Sequence, residues 1–286
     1  MDCLICKVSM VGPFHGYWYE CRNCGFMASN LTPAIGVDSY HSMIDEDRRK
    51  ASLDGLRRKN FEIVLDKIEE ISETKRVNLL DVGSAHGWFL KAASTRGHNV
   101  TGIEPDQNIV DPSQKEDLNI ISGFFPEDLP TDKTYEVITF FDVFEHLPDL
   151  RNISEACHRK LDEDGLLVLV LPSNRGVLFK IARLLDIIGI HGPLNRLWQV
   201  GFPSPHMSYF QPIVLEKFLQ QQGFKEVYRG SLPSFDRDGL WHRLRYDRKS
   251  SRVFSSLIWF PLIILSFLLP LLPQDISFQI FTKSKL

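Results

Sequence analysis

The strongest constraint on the fold is an alternation between Val77 and Leu171, where short apolar runs are separated by amphipathic stretches. Val77–Asp81, Asn99–Glu104, Leu118–Ser122, Tyr135–Phe141 and Leu166–Leu171 read as strands. Gly87–Arg96 and Leu150–Leu161 read as helices between them, with Gly165 as a turn residue. Strands that are apolar on both faces must be covered on both, which calls for helices on either side of a mostly parallel sheet. Pro212–Gln222 opens with a proline and stops at Gly223, so it reads as a further helix. Phe224–Arg229 and Ile276–Thr282 then supply a sixth and a seventh strand. The expectation is an α/β, doubly wound, seven-stranded, mostly parallel sheet, with an apolar helical insertion at 175–200 before the last strands. Ahead of it, Asp45–Glu73 reads as one long helix with the stripe Leu53, Leu56, Phe61, Val64, Leu65, Ile68 and Ile71, and residues 29–45 read as a loop.

Both ends depart from this pattern. Four of the five cysteines fall at the start, as Cys3-Leu-Ile-Cys6 and Cys21-Arg-Asn-Cys24, with 14 residues between the pairs. Two such pairs are what a tetrahedral four-sulfur site requires, each gripping from a tight turn. Residues 1–28 therefore read as a zinc ribbon in which Cys3, Cys6, Cys21 and Cys24 hold a structural Zn2+; four sulfurs leave no open position for chemistry. A disulfide framework is the alternative, weakened by a start with Asp2, two cysteines and no signal-like apolar run. Iron is a further occupant of the same ligand set. At the other end Val253–Gln274 carries no charge over 22 residues, near the length of a membrane span. Pro261, Pro270 and Pro273 interrupt it, and strands of one sheet on either side would bring the chain back to the side it left. A surface-lying or buried hairpin is the expectation. The basic stretch before it (Arg229, Arg237, Arg243, Arg245, Arg248, Lys249, Arg252, with Trp241) suits peripheral contact with an anionic membrane.

The segment with the most chemistry is Leu79-Leu80-Asp81-Val82-Gly83-Ser84-Ala85-His86-Gly87-Trp88-Phe89, a strand feeding a helix through a glycine-bearing turn. Gly83 lets a ligand approach the backbone, Ser84 lies in the same turn, and Gly87 allows close contact at the helix start. The second strand ends in Glu104, 17 residues beyond Gly87, where a carboxylate can take the two hydroxyls of a ribose. A nicotinamide dinucleotide prefers the G-x-G-x-x-G spacing and a helix N-terminus open to pyrophosphate. Here Ala85 takes the second glycine position, and Asp81 stands ready for a cationic amino group. That pattern fits S-adenosylmethionine better, since it carries an ammonium and a sulfonium but no phosphate.

This segment resembles motif I of the class I S-adenosylmethionine-dependent methyltransferases, and Val100–Glu104 looks like their second-strand acidic motif. Tyr135–Pro148, containing Asp142, Glu145 and His146, is similar to the fourth-strand stretch of the bacterial small-molecule branch, which includes lipid-linked sugar methyltransferases. Leu161–Asn174 and His206-Met-Ser-Tyr209-Phe210 with Pro212–Phe224 complete an ordered set over roughly residues 76–230. The resemblance implies a Rossmann-like fold in which Asp81, Gly83 and Gly87 hold the methionine part, Glu104 the ribose, and Asp142 the cofactor side of the pocket. The family often carries an acid after the third strand, for the adenine amine. In Gly123-Phe124-Phe125-Pro126-Glu127-Asp128, Phe124 or Phe125 would line the adenine instead, with Asp128 or a backbone group at the amine.

Methyl transfer from a sulfonium is an in-line displacement that depends on positioning, and a hydroxyl or amine acceptor also calls for a base tuned near neutrality. His146, after the fourth strand, is the leading candidate and His206 the next; His86 would shape the cofactor cavity, His191 would approach substrate, and Cys157 reads as core. The insertion 175–200 would cap the acceptor pocket. With the uncharged tail and basic stretch, it favours the hydroxyl of a lipid-linked or surface-polysaccharide sugar precursor as acceptor. A quinone-like lipid precursor, a soluble metabolite and RNA are alternatives, as is a non-catalytic binding protein. The balance of 33 Lys+Arg against 36 Asp+Glu argues against a dedicated nucleic-acid binder, and Asp142-Val-Phe-Glu stands where an amino-methyltransferase of nucleic acids would carry a D/NPPY-type motif. The domain reading is a ribbon at 1–28, a helical lead-in at 29–75 and a catalytic domain at 76–286, in a cytoplasmic protein held peripherally at the membrane face. A homo-oligomer is compatible with it.

Overall fold

The computed structural model describes residues 1–33, 46–74, 76–114, 118–234 and 272–284, with no side-chain description for 46–54 and 111–114. The expected hairpin at 253–274 lies almost wholly outside these residues, as do Trp241 and most of the basic stretch. Among the described residues no helix is long and apolar enough to cross a membrane.

A small sheet is built from β1 (Val11–Phe14), β2 (Trp18–Glu20) and β3 (Met27–Ser29). The long helix α1 (Glu46–Ser72) follows and buries Leu56, Phe61, Val64, Leu65 and Ile68, the stripe that its sequence spacing requires. The main sheet contains β4 (Asn78–Val82), β5 (Asn99–Glu104), β6 (Ile120–Ser122), β7 (Tyr135–Phe141) and β8 (Leu161–Pro172). Helices α2 (Trp88–Thr95), α3 (Gln107–Gln114) and α4 (Leu150–Lys160) connect them. The insertion forms α5 (Val177–Ile187) and α6 (Gly192–Leu197), and the chain ends in β9 (Ser208–Tyr209), α7 (Pro212–Gln220), β10 (Phe224–Leu232) and β11 (Ile276–Lys283).

The main sheet runs in the order β10-β11-β8-β7-β4-β5-β6. From β6 to β8 neighbouring strands are parallel, while β11 is antiparallel to both β8 and β10. Strand order reverses at β4, with β5 on one side and β7 on the other, so a crevice opens at their carboxyl ends. The seven strands, the mostly parallel pairing and the helical insertion before the last strands are as the sequence requires. Gly165 is different: β8 already starts at Leu161, and Tyr135 pairs with Leu161 while Val137 pairs with Leu166. Asp162–Gly165 is thus looped out within a strand rather than forming a turn before one.

The cysteine-bearing segment is not an independent cap. β3 pairs with β9, Met27 facing Tyr209 and Ala28 facing Ser208, so the small sheet takes its fourth strand from the far side of the chain. Around this join Tyr17, Trp18, Phe179, Trp198 and Tyr209 bury one aromatic cluster, with the Trp18 and Trp198 rings stacked at 6.2 Å. That cluster ties the ribbon, the insertion and the β9 segment into one wall above the crevice.

Candidate active site

The turn after β4 is shaped by left-handed residues, with φ of 70° at Gly83, 45° at Ala85 and 70° at Gly87. The Gly83 and Ser84 N–H groups donate to the Ile103 carbonyl at 2.8 and 3.2 Å, and Gly87 donates to the Ser84 carbonyl at 2.8 Å. The Ala85 N–H donates to Glu104 Oε2 at 3.0 Å. Four donors that would cradle a pyrophosphate are bonded within the chain, so the turn suits a phosphate-free nucleoside rather than a dinucleotide. Ser84 is buried, and its hydroxyl has no hydrogen-bond partner among the described residues. A Cβ on Gly83 would stand 2.5 Å from Val143 Cγ2, just ahead of the 3-10 turn Phe144–His146. Gly83→Ala is therefore expected to cost about 1–3 kcal/mol in urea unfolding and to displace that turn; an unchanged midpoint would contradict the close approach.

Asp81 and Glu104 line the floor of the crevice, and both are buried. Asp81 Oδ1 accepts from the Thr139 hydroxyl at 2.7 Å. Burial pushes the Asp81 carboxyl up to about 7; the Thr139 bond opposes this and the nearby Glu104 charge adds to it. Glu104 is raised as well, chiefly by burial, although its two oxygens are fixed by the N–H groups of Ala85 and Asp106 at 3.0 Å each. Two buried acids with raised pKa values, an orphan hydroxyl and a turn closed to phosphate together fit the cationic, phosphate-free S-adenosylmethionine.

The structure separates the two phenylalanines after β6. Phe124 is 54% exposed, whereas Phe125 is 8% exposed and packs its edge on Phe140 at 5.8 Å. Phe125 therefore belongs to the core, and Phe124 is the ring with a face to offer. Asp128 accepts from the Phe124 N–H at 2.7 Å, so its carboxylate is committed to holding this loop.

At the carboxyl end of β7, Asp142 is exposed and takes a left-handed φ of 52°, turning the chain into the Phe144–His146 turn. His146 and His206, 60 residues apart in the chain, meet here with ring centroids 4.6 Å apart. The Met207 N–H donates to the Glu145 carbonyl at 2.8 Å and locks the two segments together. His146 Nδ1 lies 3.0 Å from the Pro205 carbonyl, which can only accept, so Nδ1 carries the proton and the Nε2 lone pair is left to take one. His206 is saturated by the fold. Its Nδ1 donates to the Tyr209 hydroxyl at 2.8 Å, which in turn donates to the Leu197 carbonyl, and its Nε2 accepts from the Gln199 amide at 2.9 Å. Burial lowers both histidines, His206 the more strongly with the help of His146.

Glu145 lies beneath the pair. It is fully buried, its Oε1 is 3.9 Å from Nε2 of each histidine, and neither oxygen has a hydrogen-bond partner among the described residues. Burial and the Asp142 charge push its carboxyl well above the usual range. Ligand atoms of Glu145, His146 and His206 fall within 4.8 Å of one another, but an ion there would have to displace the Gln199 amide from His206. The arrangement is better suited to proton transfer at His146.

The four N-terminal cysteines converge from two matching knuckles, in which Cys3 N–H donates to Val8 O and Cys21 N–H to Phe26 O. Sulfur separations are 3.5 Å for Cys3–Cys24, 3.4 Å for Cys6–Cys21 and 3.8 Å for Cys6–Cys24. Metal–sulfur bonds of about 2.3 Å in a tetrahedron place sulfurs ~3.8 Å apart, so the cluster has the dimensions of a four-sulfur metal cage and not of disulfides. Elsewhere, His86 stacks on Trp88 at the cofactor turn, and Cys157 is core. His191 does not approach the crevice cluster; it pairs with Asp186 on the outer side of the insertion.

Comparison with known proteins agrees with this geometry. Similar proteins include the ubiquinone biosynthesis O-methyltransferases of Pseudomonas syringae pv. tomato (28% identical, covering 46% of this chain and 57% of that protein) and Rickettsia typhi (23%, 52% and 64%). The chain thus spans less than two thirds of their length. The fold is similar to that of magnesium protoporphyrin IX methyltransferase from Synechocystis PCC 6803, with a TM-score of 0.54 at 10% identity, covering 82% of this chain and 87% of that one. Residues 56–228, more than half of the chain and including the turn, both buried acids and both site histidines, match a family described as a methyltransferase domain, and the chain belongs to that family.

Proposed function

We propose that the protein transfers a methyl group from S-adenosylmethionine to a hydroxyl of a small, quinone-like lipid precursor. The observation that carries this reading is His146, set at the carboxyl edge of β7 with Nδ1 pinned by Pro205 and Nε2 3.9 Å from Glu145 Oε1. When bound, S-adenosylmethionine supplies an electrophilic methyl on a sulfonium. Asp81, Gly83, Ser84, Gly87 and Glu104 hold it, with Phe124 against the adenine and Asp142 on the cofactor side of the pocket. His146 takes the acceptor proton at Nε2, and the buried Glu145 below steadies the imidazolium. His206, Tyr209 and Gln199 position the ring rather than react.

The relatives' names support a quinone precursor over the sugar precursor that the insertion, the uncharged tail and the basic stretch had favoured. So does the outer face of α5, where Leu184, Ile187 and Ile188 are exposed and could meet an apolar tail or the membrane face that carries it. Zn2+ at Cys3, Cys6, Cys21 and Cys24 would hold the ribbon. The enzyme would work in the cytoplasm, peripherally at the membrane.

The test offers labelled S-adenosylmethionine with either a prenylated phenol or a sugar nucleotide. Label should pass to the phenolic oxygen, and methylation of the sugar alone would overturn the acceptor assignment. His146→Ala should lower kcat by about 100-fold with cofactor affinity unchanged. Because burial lowers the His146 pKa, the acidic limb of the wild-type kcat profile should lie below the ordinary histidine value of 6.5.

A further inference from the structure

Far from the crevice, three donors converge where the ribbon meets the insertion. His15 sits on the β1–β2 turn with a left-handed φ of 48°. Asp186 is in the last turn of α5, and His191 immediately precedes α6. His15 Nε2 is 2.9 Å from Asp186 Oδ1 and 3.0 Å from Oδ2, His191 Nδ1 is 2.6 Å from Oδ1, and the two imidazole centroids lie 4.4 Å apart with the rings tilted by 53°. All three donor atoms fall within 4.8 Å of one another.

From this geometry we infer that His15, Asp186 and His191 form a second divalent-cation site, separate from the four cysteines and suited to a borderline transition ion such as Zn2+. Two imidazoles and one carboxylate are an ordinary ligand set for such an ion. Bonds of about 2.0–2.1 Å in a tetrahedron set ligand atoms ~3.3 Å apart, so shifts of a few tenths of an ångström convert the hydrogen-bonded trio into a coordinated one. The backbone already holds the donors in place. The Gly189 N–H donates to Asp186 O and the Ile190 N–H to Leu185 O, closing the loop that brings His191 back over Asp186. Solvent reaches both histidine side chains, which are 34% and 46% exposed, and water completes the coordination. A simple ion pair would use one histidine. Here two histidines share one carboxylate, His15 across both oxygens and His191 on Oδ1, with ring centroids 4.4 Å apart, a convergence of three ligand atoms that one shared cation satisfies.

The ion would act as a clip. The same interface carries the Tyr17 hydroxyl donating to Asn195 at 2.8 Å and Arg183 lying over Trp18. α6 leads directly into Leu197 and Gln199, which anchor Tyr209 and His206. Locking His15 to His191 therefore fixes the wall that carries the His146 neighbours. This inference does not depend on the identity of the acceptor.

The test titrates the tag-free full chain, its cysteine site already filled, with zinc chloride against a chromophoric chelator. Wild type should take up a second equivalent, and His15→Ala or His191→Ala should each weaken that equivalent by about tenfold or more, leaving the first untouched. Retention of the first equivalent reports that a variant has folded; should one variant fail that criterion, the other decides. Uptake of only one equivalent by the wild type, or variants that titrate like it, would overturn the proposal.

Discussion

Asp81→Asn is expected to make the apoprotein more stable and its cofactor binding worse. The Asp81 carboxyl titrates at about 7 in the fold, against an ordinary 3.8, because it is buried beside Glu104. Between those values the folded state holds a proton that the unfolded chain releases, so stability falls as pH rises through the window. Above pH 7 the folded protein carries the full cost of a buried charge. Asparagine is close in shape to the protonated acid and carries no charge. The variant should therefore gain about 1–3 kcal/mol over wild type at pH 8 and little at pH 4. The same change removes the negative partner of the cofactor's amino group, and affinity for S-adenosylmethionine should drop about 10- to 100-fold. Thermal unfolding at the two pH values, with calorimetric binding, separates the effects. An advantage equal at both pH values would show that burial of charge is not the cause.

Loss of the cysteine cluster should cut turnover by about 100-fold without abolishing cofactor binding. Ile5, Met10 and Phe26, beside Cys3 and Cys21, pack into a core they share with Phe210 and Phe218, and breaking the cage frees the knuckles that place them there. Its outer strand does not end at the ribbon. The Ser29 N–H donates to Met207 O at 2.9 Å, and the Ser29 hydroxyl donates to His206 O at 2.8 Å. Cys21→Ser therefore releases the backbone that carries His206 and braces His146, while the β4 turn, Asp81 and Glu104 lie on the other sheet. We expect kcat to fall by about 100-fold, a change of less than about threefold in cofactor affinity, and loss of amide protection at 206–210 along with 1–30. Protection that disappears only in 1–30 would mean that the join carries no load.

The main sheet was legible because its strands are apolar on both faces. β5 and β7 begin and end where the pattern places them, at Asn99–Glu104 and Tyr135–Phe141. The helix α3 was missed. It is short, carries Asp111 and Pro112 in its body, and its one clear signal is Asp106, whose side chain accepts from the Asn108 N–H at 3.0 Å. β9 was not readable either: two residues pair with β3 through main-chain bonds, which leave no periodicity in side chains. At the site His146 could be nominated from its place after the fourth strand and His206 from its place before the sixth, but only the fold shows that Gln199 and Tyr209 saturate one and Pro205 orients the other. Glu145 was hidden for the same reason, since an acid beside a histidine gives no sign of being buried without a partner.

The pairing of β10 with β11 has a consequence for the stretch between them. Leu232 faces Ile276, and Ser234 reaches Asp275 at 3.4 Å, so the exit and re-entry points stand side by side at one end of the sheet. The flanking strands are zipped to each other and, through β11, to β8 whatever joins them. The sheet therefore offers a socket into which chain of different length or polarity can be exchanged, leaving the crevice and its chemistry in place.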